Sequence, residues 1–156
     1  MNKRLVLLRA QTRPEWLDYN GHVRDAYYLL VFSHAVDALM ERIGMDAAAR
    51  ERGGHTLYTA ELHLRYLREI RQQAELRVEG RLLEHDAKRL RLYLSLHRDE
   101  EADAAAGCEL MLLNVDPGLG RSAPFSAPVR HSLDALARRQ AGLPWPEDCG
   151  RRIEMR

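Results

Sequence analysis

Aromatic residues are scarce in this chain, at 6% of 156 residues, and only two cysteines occur, Cys108 and Cys149. The cysteines lie far apart and form no Cys-x-x-Cys pair. That spacing argues against a disulfide scaffold and suits a reducing cytoplasm. No His, Cys or carboxylate grouping has metal-ligand spacing, so neither a metal nor a cofactor is expected. A Gly-x-Ser-x-Gly elbow and a phosphate-binding Gly-rich loop are both missing. Charge of one sign is lacking too: 24 basic and 23 acidic residues leave a formal net charge of +1. This balance gives no pull toward nucleic acid or an anionic membrane. Long apolar runs are absent. The N-terminus starts basic and turns apolar, but residues 5–8 are too few for the apolar region of a signal peptide, and Arg9 interrupts them. Nothing approaches a membrane span. Internal repeats and low-complexity tracts are not found.

What is present is a change of period. Residues 3–13 read as a first strand, closed by Pro14, which cannot donate to a ladder. From Arg24 to Ile43, apolar residues recur at Tyr28, Phe32, Ala35, Val36, Leu39 and Ile43, one face of a helix. Leu29, Leu30 and Val31 widen that face, so the helix is expected to be buried on most sides, with His34 a satisfied interior histidine. Asp25 suits a cap or the first turn, and Gly44 suits the left-handed stop. A short helix is expected over residues 45–52. Four alternating segments follow, over residues 56–67, 74–84, 88–98 and about 104–115. In the first of them Tyr58, Ala60, Leu62, Leu64 and Tyr66 form one face. Residues 129–141 read as an amphipathic helix, and the tail beyond it has no period and is expected to be loosely ordered. Strand, buried helix, then four strands is an α+β layer pattern, a meander packed on one helix. One helix is thin cover for five strands, which favours a dimer that hides a sheet edge.

The segment Asp-Tyr-Asn-Gly-His-Val, residues 18–23, sits between the first strand and the long helix. Asn-Gly is a strong turn dipeptide and Asp bonds its own backbone, so a plain turn explains these residues. A second reading also stands. The segment leads into a helix whose first N–H groups are free and whose N-terminus is electropositive. A carbonyl oxygen gaining charge would be stabilised there, and an acid beside it could act as base or nucleophile.

The order of elements, with residues 18–32 opening the helix, resembles the hotdog-fold thioesterases of the 4-hydroxybenzoyl-CoA thioesterase type. Asp18, Gly21, His22, Val23 and Tyr28 match that family's pattern, whereas Arg24 and Asp25 stand where two asparagines are usual. The spacing of Asp18, Asn20 and His22 is also similar to that of plant acyl-carrier thioesterases. Residues 16–48 together with 58–70 look most like the thioesterases of bacterial carnitine breakdown, which hydrolyse betainyl-CoA. The resemblance implies an antiparallel five-stranded sheet wrapped around one long central helix over residues 1–116. Residues 117–156 would add a loop, short helix and tail on the same domain.

The resemblance further implies a homodimer or dimer of dimers that hydrolyses a small acyl-CoA, with no nucleic acid or membrane partner. Asp18, Asn20, His22 and Asp25 would be catalytic: Asp18 as base or nucleophile, Asn20 positioning water, and Asp25 through its N–H. His22 would bond Asp18 or only shape the loop. Tyr19, Tyr27, Tyr28 and Tyr66 would meet the acyl group, because a trimethylammonium ion needs aromatic faces. Arg68, with Arg65, Arg71, Lys88, Arg89 and Arg91, could receive the CoA phosphates. His63 could line the site or face water. A non-catalytic acyl-CoA-binding module, a thioesterase for other short or aromatic acyl-CoAs and a dehydratase are the competing readings. The loop motif argues against the dehydratase.

Overall fold

The computed structural model describes residues 4–155. The first strand, β1 (Leu5–Gln11), is followed by a 3₁₀ turn, Pro14–Trp16, and then by the long helix α1 (Asp25–Arg42) and the short helix α2 (Ala47–Glu51). The strands β2 (Thr56–Tyr66), β3 (Glu75–His85), β4 (Arg89–Arg98) and β5 (Ala106–Asp116) come next. A two-residue strand β6 (Arg121–Ser122) and the helix α3 (Ala127–Gln140) close the order. Lys3, expected at the start of the first strand, lies outside the described residues.

The helix boundaries follow local chemistry. Asp46 caps α2 by accepting from the Ala49 N–H at 2.8 Å, and Ser126 caps α3 from Val129. Gly44, at φ +91°, takes the left-handed position after α1.

The sheet order is β1-β3-β4-β5-β2, with β6 beside β5. Only β3, β4 and β5 form the expected meander. β2 crosses over to pair with β5, which leaves β1 and β2 as the two edges. Four strand spacings of about 4.8 Å separate those edges along the sheet. Yet α1 reaches both. Arg42 donates to the Val6 carbonyl of β1 at 2.8 Å, and Tyr66 of β2 donates to the Asp25 carbonyl at 3.1 Å. The two contacts lie at opposite ends of α1, so the helix crosses the sheet from edge to edge, and the sheet curls around it.

The alternating strands supply the concave face as expected: Leu76, Val78, Leu82, Leu90, Leu92, Leu94 and Leu96 are all buried. They meet Tyr28, Val31, Phe32, Ala35, Val36, Leu39 and Met40 of α1. The helix is covered on this side alone. Leu29 and Leu30 are exposed, at 40% and 38%, and His34 is exposed too, contrary to the expectation of burial on most sides. The reason lies in the architecture: one curled layer covers half a cylinder.

β2 also departs from simple alternation. Its pairing shifts between Thr59 and Glu61, a bulge at Ala60. Opposed residues share a face, so Thr59 lies with the core residue Leu112, whereas Tyr58 lies with Leu113 on the outside. The extra residue restores Leu62, Leu64 and Tyr66 to the inner face. Tyr58 therefore does not belong with them.

The tail is pinned without regular structure. Across the convex face, the Gly150 N–H donates to Glu109 at 2.6 Å, His63 Nδ1 meets the Arg151 carbonyl at 2.5 Å, and Arg91 lies over the Trp145 ring. His63 is thus held by the tail.

Candidate active site

The loop between the 3₁₀ turn and α1 is a tight hairpin. Leu17 bridges Val23, the Asp18 N–H donates to the His22 carbonyl at 2.8 Å, and the Gly21 N–H donates to the Asp18 carbonyl at 3.1 Å. Gly21 supplies the left-handed φ of +76° that the turn requires. Asp18 Oδ1 accepts from the Asn20 and His22 N–H groups at 2.8 and 3.1 Å. The turn reading is therefore correct, and it consumes one carboxylate oxygen. Among the described residues Oδ2 has no hydrogen-bond donor. The His22 amide, the largest influence, holds the Asp18 carboxyl below its ordinary 3.8; desolvation pushes it up, and the Asn20 amide adds a smaller downward pull. A fixed, ionised carboxylate with one open oxygen results.

The hairpin is docked on the segment joining β2 to β3. The Val23 N–H donates to the Ile70 carbonyl at 2.8 Å, and His22 bridges Arg71. Ile70 is fully buried within an otherwise polar turn and anchors the segment. His22 Nε2 lies 3.0 Å from Glu69, not against Asp18. Glu69 also accepts from Arg71 at 2.9 Å. Arg71 first, and His22 after it, keep the Glu69 carboxyl below its ordinary range. Glu69 was not singled out from sequence, because its partner His22 is 47 positions away.

Beyond the hairpin, α1 begins with no side-chain cap. Arg24 occupies the N-cap position, where it offers no acceptor, and Asp25 is the first helical residue. Asp25 Oδ1 takes the Ala26 N–H at 2.9 Å. The Asp25 N–H has no acceptor among the described residues. Such a group at an electropositive helix start suits an oxyanion.

Two tyrosines stand at the same helix end. Tyr28 is buried, donates to the Arg68 carbonyl at 3.2 Å and meets the Tyr66 ring edge-on, with centroids 5.0 Å apart. Tyr66 is half exposed and donates to the Asp25 carbonyl. Burial first, and then the Asp25 charge, push the Tyr66 hydroxyl up, so it stays a donor.

The remaining candidates lie apart from this group or are occupied. Tyr27 stacks on the buried Trp16 at 5.8 Å, as part of the packing under the loop. Tyr19 is 93% exposed at the hairpin tip, and Asn20 is exposed beside it. Arg68 pairs with Asp103 at 2.6 Å and Glu101 at 3.6 Å. Arg65 faces Asp148, Arg89 grips Asp86, and Arg91 bridges Glu109 and Glu84. Among the described residues, no group of three or more His, Cys, Asp or Glu side chains could hold a metal ion.

A curled antiparallel sheet around one helix, with an acid-bearing hairpin at the uncapped helix start, defines a hotdog-fold protein of the α+β class. Residues 12–133 match the sequence profile of the Thioesterase-like superfamily, and the chain belongs to that superfamily. It is similar to the betainyl-CoA thioesterase of Pseudomonas aeruginosa, at 46% identity over 98% of this chain and 96% of that one. It is also 40% identical to the L-carnitine dehydrogenase/betainyl-CoA thioesterase of Agrobacterium fabrum, over 94% of this chain but 30% of that one. A Staphylococcus aureus protein solved in complex with CoA superposes with a TM-score of 0.91 at 27% identity, covering 98% and 97% of the two chains. A Pseudomonas putida structure does so with a TM-score of 0.87 at 42% identity, over 98% and 97%. The chain is a thioester hydrolase of the acyl-CoA thioesterase type.

Proposed function

We propose that the enzyme hydrolyses betainyl-CoA to the free betaine acid and CoA. The observation that carries this reading is the 46% identity to a betainyl-CoA thioesterase along nearly the full length of both chains. The site geometry agrees with it. The thioester carbonyl points at the Asp25 N–H. Asp18 Oδ2 takes the proton of an attacking water, or itself attacks the carbonyl carbon. The carbonyl carbon passes through an oxyanion, the C–S bond breaks, and the CoA thiolate leaves. In the first route the water oxygen stays in the acid; in the second, the anhydride left on Asp18 is hydrolysed by water, which frees the acid and restores the carboxylate. A carboxylate held below its ordinary range is a weak base, so the barrier must fall at the electrophile. One preorganised oxyanion donor is worth roughly 2.7–4 kcal/mol. Asn20 and His22 then act first through their backbone amides, which orient Asp18. The half-exposed Tyr66, braced by the buried Tyr28, offers ring surface to the trimethylammonium group.

The active unit is a homodimer or a dimer of dimers. β2 is an edge strand, and it borders a cleft of ≈ 460 Å³ against the exposed side of α1, lined by Leu29, Val36, Met40, Leu57 and Leu62. A second copy on that face would cover both the edge and the apolar residues. Both cysteines are free, which suits a reducing cytoplasm. No helix among the described residues is long and apolar enough to cross a membrane.

Thiol release from betainyl-, acetyl-, benzoyl- and medium-chain acyl-CoA tests the reading. Betainyl-CoA is expected to give the highest kcat/KM, and Asp18→Asn to lower kcat by about 10²–10⁴-fold. A preference for neutral aliphatic chains would remove the betaine assignment. Full activity in Asp18→Asn would remove the role given to Asp18.

A further inference from the structure

Asp25 presents a physical conflict. Its N–H is the open donor at the start of α1, and its own side chain carries a negative charge on the same residue. An oxyanion forming at that amide is stabilised by the N–H and the helix end, and opposed by the carboxylate. A first-turn acid that served the helix dipole alone would act as well at Ala26 or Tyr27, without opposing the reaction. Of the unpaired N–H groups at the helix start the carboxylate takes only that of the adjacent Ala26, and the residue is exposed.

The surroundings remove the conflict for one class of substrate. The Tyr66 hydroxyl is tied to the Asp25 carbonyl at 3.1 Å, and its half-exposed ring is braced edge-on by Tyr28 at 5.0 Å. Amide, carboxylate and aromatic ring therefore meet at one helix end. A quaternary ammonium has no N–H to donate. It is recognised by diffuse negative charge and aromatic faces. In a betainyl thioester that cation lies one methylene from the reacting carbonyl. Placed between the carboxylate and the oxyanion, it offsets the repulsion of one and is attracted by both.

We propose that the Asp25 carboxylate, with the Tyr66 ring, selects acyl groups that carry a fixed positive charge next to the thioester carbonyl and rejects neutral and anionic ones. This inference rests on the betaine reading above and assigns its charge selectivity to one side chain. Rejection arises because, without the cation, the carboxylate opposes the oxyanion uncompensated.

The test compares betainyl-CoA with 3,3-dimethylbutanoyl-CoA, which has the same shape and no charge, in the wild type, Asp25→Asn and Asp25→Glu. The wild type is expected to favour betainyl-CoA. In Asp25→Asn the ratio of the two kcat/KM values falls by at least about tenfold, within the reach of one unit-charge pair about 4 Å apart near a protein surface. Hydrolysis of the neutral ester rises at the same time. Asp25→Glu keeps the preference for the cation. Each ratio is taken on one preparation, so a partly folded variant still reports it. An unchanged ratio in Asp25→Asn, with the wild-type preference present, overturns the inference and leaves the betaine reading standing. No wild-type preference for the charged ester removes both.

Discussion

Asp18 shows how a residue can be both a turn former and a reactive group. Its backbone and Oδ1 close the hairpin, and the same hydrogen bonds fix the carboxylate while Oδ2 has no donor among the described residues. The ionised form is the one the proposed chemistry uses. Because the folded value lies below the ordinary 3.8, that form persists as pH falls through the usual carboxylate range, and is lost only below it. The acid limb of kcat/KM for the wild type is therefore expected below pH 3.8, or to be cut short by acid unfolding. An acid limb centred well above that range would assign the base to another group. Gly21 belongs to the same device, since its φ of +76° lets the chain return from Asp18 to the helix.

The hairpin and the β2–β3 connection act as a pair of elements. Val23 to Ile70 ties their backbones, and Glu69, itself held by its neighbour Arg71, ties their side chains through His22. All three side chains are partly exposed, so solvent screens these pairs and they add little to global stability. Their effect is on position. Glu69→Gln is expected to leave the melting temperature nearly unchanged while lowering kcat several-fold, because small displacements of a reacting group are costly in rate. Thermal melts beside steady-state kinetics check this, and an unaltered kcat would show that the hairpin holds its shape without Glu69. The bulge at Ala60 is a second element-level device. It returns Tyr66 to the inner face, where it reaches Asp25.

The curl of the sheet sets the form of the molecule. It buries one side of α1 and leaves Leu29, Leu30 and the β2 edge uncovered. Leu29→Asp is expected to shift the protein toward monomer, read by sedimentation velocity across a concentration series, and to lower activity in step with dimer loss. A wild type that sediments as a monomer at micromolar concentration would sink the dimer proposal. The convex face is closed by a different means. Residues 145–151 cross it and occupy Arg91, Glu109 and His63. Burial lifts the thiol of Cys149 on this strap to about 11, which keeps it a weak nucleophile at neutral pH.

Periodicity was enough to read the elements. Helix and strand repeats are local, and each boundary rests on a nearby Pro, Gly, Asp or Ser. The hairpin motif was legible for the same reason, since every bond that shapes Asp18 spans four residues or fewer. Three features were not legible. The place of β2 beyond β5, the exposure of Leu29, Leu30 and His34, and the pairing of His22 with Glu69 all depend on contacts between distant parts of the chain. Tyr58 was misplaced because a bulge shifts a strand's faces without altering its composition. The arginine runs were ambiguous because a charged strand face looks the same whether it awaits a phosphate or already holds a carboxylate. Local bonding thus made the chain's elements and its acid-bearing turn readable one segment at a time. Which surfaces then met was settled by how the sheet curls, because that is a property of five strands together and of no single one.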